Sequence, residues 1–181
     1  MKQAYLLTGS PGVGKTTIIK EVLAKVKATT GGFYTEEIRS GGIRQGFRIV
    51  TLDGKSAILA HINIHSPYQV SKYGVDIDSL DQVGVSALRE ATHKCDIVIV
   101  DEIGKMELYS PSFKEAVTEA LESGKKVLGT IMLKPHPWAD RIKQHHLVKV
   151  ISVTMVNYRE VAEEVLSWLQ HEIGEELWRG R

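Results

Sequence analysis

Residues Gly9, Ser10, Pro11, Gly12, Val13, Gly14, Lys15 and Thr16 fit the pattern G-x-x-x-x-G-K-[ST] at every fixed position. The glycines let the backbone curl so that successive N–H groups point inward at phosphate oxygens. A helix opening near Lys15 adds its positive N-terminal end to the same place. Lys15 is then placed to reach the outer phosphates of a nucleoside triphosphate, and Thr16 to give its hydroxyl to Mg²⁺. Thr17 completes the phosphate-binding run, and Pro11 stiffens it.

A second cluster supplies what the loop lacks. In "VIVDEIGKMEL" Asp101 ends an apolar run, where a carboxylate can hold a water of the Mg²⁺ shell. Glu102 follows it and is placed to polarise a water for in-line attack on the terminal phosphorus. Gly104 allows a turn, Lys105 brings a cation toward the transferring group, and Glu107 is near enough to orient Lys105 or the water. Met106 and Leu108 read as inward packing. Switch GTPases use a glutamine in the water-positioning role and read guanine with Asn-Lys-x-Asp. Neither Asn63 nor Asn157 begins that motif.

These groups need rigid elements to hold them. Ala4–Leu7 reads as a buried strand and Ile18, Ile19, Val22, Leu23 and Val26 as one face of a helix fading near the Thr29–Gly32 turn. Residues 33–60 carry three strand-like runs punctuated by Gly-Gly and Asp-Gly, which predicts an antiparallel insert. Residues 61–81 read as loop and 82–92 as helix. "CDIVIVDE" is a buried strand with four β-branched residues in succession. A helix over 111–123 with Pro111 in its first turn, strands over 126–133 and 148–153, and a closing helix over 157–172 complete the pattern. The alternation predicts an α/β fold of three layers: a mainly parallel sheet, helices on both faces, and an antiparallel hairpin insert.

The chain's 181 residues fit one domain, 1–181. A net charge of +1 gives no overall basic field, so nucleic acid is not indicated as a partner. Cys95, the single cysteine, excludes an intrachain disulfide and suits a reducing compartment. No apolar run approaches the ~20 residues of a membrane span. The reading is a cytoplasmic protein without a membrane partner; protein partners are not legible.

In order along the chain, "LTGSPGVGKTT", "GFYTEEIRSGGIRQGF", "VDEIGKMEL" and "VLGTI" resemble the cancer-related nucleoside-triphosphatase family, whose members include bacterial and archaeal proteins. The resemblance implies the P-loop NTPase fold with an added catalytic glutamate, which Glu102 matches. It also implies slow, Mg²⁺-dependent hydrolysis of several ribo- and deoxynucleoside triphosphates. Two positions depart from the pattern: Ser71 stands where glycine is common, and Tyr158 where arginine commonly follows the asparagine.

Other side chains compete for roles. Arg44 in the flexible "SGGIRQGF" hairpin is the preferred source of a transition-state charge, ahead of Arg48 and Arg141. Thr130 ends a strand expected beside Asp101, where it either touches phosphate or simply packs. His136, His145 and His146 lack zinc-site spacing. Tyr34, Tyr73, Trp138 and Tyr158 offer rings for a base, though packing explains each one singly.

The leading expectation is Mg²⁺-dependent hydrolysis of ATP, GTP and other triphosphates to diphosphate and phosphate, with Glu102, Lys15, Lys105 and Arg44 as the catalytic set. Base selectivity is expected to be broad because no base-reading motif stands in the chain. With no definite arginine finger, turnover is expected on the order of 10⁻² per second. A nucleotide or small-molecule kinase, and a nucleotide-sensing regulatory module, are the alternatives.

Overall fold

In a computed structural model that describes residues 2–179, one nine-stranded sheet runs through the molecule. Its strands are β1 (Ala4–Thr8), β2 (Thr30–Ser40), β3 (Ile43–Thr51), β4 (Ser56–His61), β5 (Gln69–Val70), β6 (Tyr73–Val75), β7 (Ile97–Ile103), β8 (Lys126–Ile131) and β9 (Val148–Ser152). The order across the sheet is β5-β6-β4-β3-β2-β7-β8-β1-β9. Strands β2, β7, β8, β1 and β9 are parallel neighbours, and β3 to β6 extend the sheet antiparallel from β2.

The central parallel strands β7, β8 and β1 are buried on both faces, which is why they read as mainly apolar runs. Along β7, Val98 and Val100 join one core with Leu88 and Phe113. Ile97 and Ile99 join the opposite core with Ile18, Val22, Val165 and Leu169. Helices α3 (Ser86–Lys94), α4 (Pro111–Glu122) and α5 (Pro137–Lys143) therefore cover one face. Helices α1 (Lys15–Leu23) and α6 (Tyr158–Arg179) cover the other. The three-layer α/β architecture expected from the pattern is present.

Strand β1 hands the chain to β2 on one side through α1, whereas β8 hands it to β9 on the other through α5. Neighbouring strands whose connections diverge leave a crevice at their carboxyl ends, the usual ligand position in such sheets. The loop after β1 opens there.

Several boundaries differ from the sequence reading. Helix α1 ends at Leu23, and Gly31 and Gly32 lie within β2 rather than in a turn. A side chain at Gly32 would run into the Ile99 carbonyl of β7, and one at Gly31 into Ala91 and Cys95, so these glycines permit close approach of β7 and of α3. The stretch read as loop forms β5, β6 and a short helix, α2 (Ile77–Ser79), capped by Asp76. A π-helical turn (Leu80–Val85) then leads into α3, with Gly84 packed against Leu80, Phe33 and Ile49. The Pro- and His-rich segment contains α5, with Pro137 in its first turn.

Ser71, between β5 and β6, has φ of 55° and is the described non-glycine residue with positive φ. Left-handed backbone costs an L-residue about 1–2 kcal/mol, partly offset by the extra unfolded-state freedom of glycine. Ser71→Gly is therefore expected to be neutral or to stabilise by up to about 1 kcal/mol in urea unfolding. Destabilisation beyond that size would show that the Ser71 side chain contributes something other than strain.

Candidate active site

The phosphate-type loop joins β1 to α1, with φ of 81° at Gly12 and 97° at Gly14 setting the curl. Lys15 folds back over it, its Nζ donating to the Gly9 carbonyl at 2.8 Å and the Ser10 carbonyl at 3.0 Å. The turn after β9 closes the other side. Its Tyr158 ring lies against Gly14, and its Val153 carbonyl lies against Gly9. Asn157 holds this turn by accepting from the Thr154 amide at 2.7 Å and donating to the Ser152 carbonyl at 2.8 Å.

Asp101 joins the loop to the sheet. Its carboxylate accepts from the Thr16 hydroxyl at 2.5 Å and from the Thr130 hydroxyl at 2.7 Å, while its backbone carbonyl accepts from the Thr35 hydroxyl at 2.8 Å. The residue is only 3% exposed. Burial raises its pKa against the opposing pull of both hydroxyls, Lys15 and Lys20. The protein's own groups thus compensate this buried charge only in part. A carboxylate and a hydroxyl, both hard oxygen donors, suit Mg²⁺, which keeps several waters and takes others of its ligands from phosphate. Among the described residues no cluster of three or more His, Cys, Asp or Glu side chains forms a separate metal cage.

Glu102 and Glu107 approach one another across Gly104. A Cβ at that glycine would collide with a carboxylate oxygen from each. Glu107 accepts from the Gly104 amide at 3.2 Å and is 4% exposed. Its pKa lies well above the usual glutamate value, chiefly through burial and then through the charge of Glu102. Burial also raises Glu102, as does Asp101, while Lys15 pulls it down.

Thr16, Asp101, Glu102, Lys105 and Glu107 line one cavity of about 260 Å³. Arg44 is placed elsewhere. It donates to the Tyr73 hydroxyl at 3.0 Å and to Glu37 at 2.9 Å, beside a neighbouring depression. Arg48 pairs with Glu36 at 3.0 Å. His136 and His145 cap nearby backbone amides through Nδ1. Tyr73 is buried, and Trp138 packs against the core. Thr130 neither merely packs nor stands free to meet phosphate; its hydroxyl is spent on Asp101.

Three nearby groups take places that the sequence pattern did not give them. Thr35 grips the Asp101 backbone. Burial, and then the Asp101 charge, raises the pKa of the Tyr34 phenol. Lys20 sits 4.9 Å over the Tyr34 ring. All three depend on β2 running alongside β7, a pairing that no local motif encodes.

Comparison with known proteins bears on this geometry. The sequence model of a family described as NTPase matches residues 4–166. The chain is 45% identical over 170 residues to "Nucleoside-triphosphatase THEP1" of Thermotoga maritima, covering 94% of this chain and 97% of that protein. It is 38% identical over 186 residues to the human "Cancer-related nucleoside-triphosphatase", covering 94% and 98% respectively. The crystal structure of THEP1 from Aquifex aeolicus superimposes with a TM-score of 0.85 at 32% identity, covering 93% of this chain and 99% of that one. The solution structure of the human protein gives 0.79 at 36% identity, with 94% and 98% covered.

Glu107 generates a prediction about stability. Between the ordinary glutamate pKa and the raised native one, the unfolded chain has released this proton while the native chain retains it. Stability therefore falls as pH rises through that window, by at most about 1.4 kcal/mol per pH unit for this group. Glu107→Gln removes that contribution, so as pH rises above the ordinary glutamate pKa its unfolding free energy should decline less steeply than that of the parent. Parallel curves in denaturant titrations would contradict the burial argument.

Proposed function

The chain belongs to the NTPase family that includes the THEP1 and cancer-related nucleoside-triphosphatases, and from that premise we propose that it hydrolyses nucleoside triphosphates to diphosphate and phosphate with Mg²⁺. The observation that carries this reading is the Asp101 carboxylate shared between Thr16 and Thr130, with Glu102 next in the chain. The triphosphate lies along residues 9–17, its outer oxygens facing the loop amides and Lys15. Lys15 now donates to the Gly9 and Ser10 carbonyls, and phosphate oxygens are stronger acceptors for the same ammonium group. Thr16 and Asp101 are the residues that would hold Mg²⁺, which would supply charge neutralisation on the phosphate oxygens.

Glu102 takes a proton from the attacking water. Burial and the neighbouring Asp101 raise its pKa, which strengthens it as a base once ionised, while Lys15 keeps the ionised form accessible. Lys105, on the wall of the same cavity, is the protein cation placed to approach the transferring group. Arg44 serves only if the β2–β3 hairpin moves, because it is engaged with Glu37 and Tyr73. Broad base selectivity follows from a loop that reads phosphate through backbone amides, without a guanine-reading motif in the chain.

Glu102→Gln should leave Mg²⁺–nucleotide affinity within a few-fold and reduce turnover by roughly 10²–10⁴. Lys15→Ala should weaken both affinity and rate. Single-turnover assays and calorimetry with ATP and GTP separate the two effects. Undiminished turnover in Glu102→Gln would remove that residue from the mechanism, and full affinity in Lys15→Ala would remove the lysine from the phosphate site.

A further inference from the structure

We propose that the cavity beside Glu102 binds a second, hydroxyl-bearing organic substrate, and that the enzyme passes the terminal phosphoryl group to it. This rests on the nucleotide reading above for the donor and for the role of Glu102. Hydrolysis needs room for the terminal phosphoryl group, the cation and one attacking water, which the end lined by Thr16, Asp101, Glu102 and Lys105 supplies, whereas this cavity of about 260 Å³ continues past that end to Phe47, Leu59 and Val70. A water's share of liquid volume is about 30 Å³, and a buried water needs two to four polar partners.

The walls suit a different occupant. Thr16, Thr35, Asp101, Glu102, Lys105 and Glu107 form the polar end, while Phe47, Leu59, Val70 and Met106 are apolar and Glu37 lies among them. Apolar side chains beside convergent polar groups suit a small organic molecule. These apolar residues come from the antiparallel part of the sheet and the turn after β7, so the cavity reaches away from the phosphate loop.

The cavity also has a continuation. A neighbouring depression of about 550 Å³ shares Phe47, Val70 and Met106 with it and adds Arg39, Arg44 and Lys72. Arg39 and Arg44 both engage the single carboxylate of Glu37, at 2.5 and 2.9 Å. Lys72 adds a third cation, so the outer rim is positive. The occupant is therefore an amphiphilic acid with a hydroxyl at the Glu102 end, an apolar middle and a carboxylate or phosphate at the Arg44 rim.

The step balances without a further reagent. The hydroxyl oxygen bonds to the terminal phosphorus, and the bond from that phosphorus to the bridging oxygen breaks. The nucleoside diphosphate leaves with the electron pair, and Glu102 accepts the hydroxyl proton. The product is a phosphate monoester. Release of phosphate without an acceptor is then the same reaction with water in the acceptor's place.

Two probes test this: 6-hydroxyhexanoate and 4-(hydroxymethyl)benzoate, each with the parent protein, Mg²⁺ and ATP. ³¹P NMR should show a phosphate monoester, with ADP exceeding free phosphate by the amount of ester. Saturation-transfer NMR without nucleotide or metal should show at least one probe binding. Val70→Phe, which narrows the passage between the two depressions, should lower the ester-to-phosphate ratio about tenfold and weaken the saturation signal. The ratio is internally normalised, so a loss of folded protein does not mimic the effect. ADP equal to phosphate with both probes, whether or not they bind, would overturn the transfer step and leave the hydrolase reading standing. Absence of both ester and phosphate from the parent would overturn the hydrolase reading as well. An unchanged ratio in Val70→Phe would overturn the assignment of this cavity.

Discussion

A carboxylate that is 3% exposed and bonded to two threonine hydroxyls holds this site together. Asp101 sits at the carboxyl end of β7, Thr130 on neighbouring β8, and Thr16 in the first turn of α1. The phosphate loop belongs to β1, which is separated from β7 by β8. The aspartate therefore spans a strand's width to reach the loop, and Thr130 fills the intervening position. Remove any one of these three elements from its place in the order and the others lose their partner. Burying the carboxylate is unfavourable unless it is compensated, and two hydroxyls with two more distant lysines compensate it only in part. The remaining demand for positive charge is what makes the position suitable for a divalent cation.

The same physics extends one and six residues onward. Glu102 and Glu107 stand on either side of Gly104, close enough that the charge of Glu102 raises the Glu107 pKa. Glu107 also holds the Gly104 amide, so it shapes the turn that presents Glu102 and Lys105 to the cavity. Strand β2 provides the link to the outer sheet. Its first residues pair in parallel with β7 and its later ones antiparallel with β3, so one strand carries Thr35 to the Asp101 backbone and Glu37 to the arginines of the hairpin. The antiparallel insert is thus a wall of the active-site region as well as an extension of the sheet.

Much of this was legible from residue types. The loop of residues 9–16 announces itself because phosphate chemistry demands glycines, a lysine and a hydroxyl at fixed spacing. The run before Asp101 does so because a strand buried on both faces must be apolar throughout. The three-layer architecture followed from alternation alone. What stayed hidden depends on contacts between distant segments. Gly31 and Gly32 look like the end of a helix, yet at Gly32 the missing side chain lets β2 approach β7, and at Gly31 it lets α3 approach the sheet. The π-helical turn at Leu80–Val85 places Gly84 against Phe33 and Ile49, contacts from distant strands that local propensity does not express. Arg44 appeared mobile from its glycine-rich flanks, but Glu37 and Tyr73, distant in sequence or on another strand, hold it. Burial of Glu107 was equally invisible: residue type and spacing placed it beside Lys105 and the water, but not in the interior.

The central claim is that Asp101 couples the phosphate loop to a divalent cation. Calorimetric titration of a non-hydrolysable ATP analogue, with Mg²⁺ and with excess chelator, tests it in the parent protein and in Asp101→Asn. The parent should bind the analogue at least about tenfold more tightly with Mg²⁺, and the variant should lose most of that difference. An Mg²⁺ enhancement of equal size in both proteins would contradict the account.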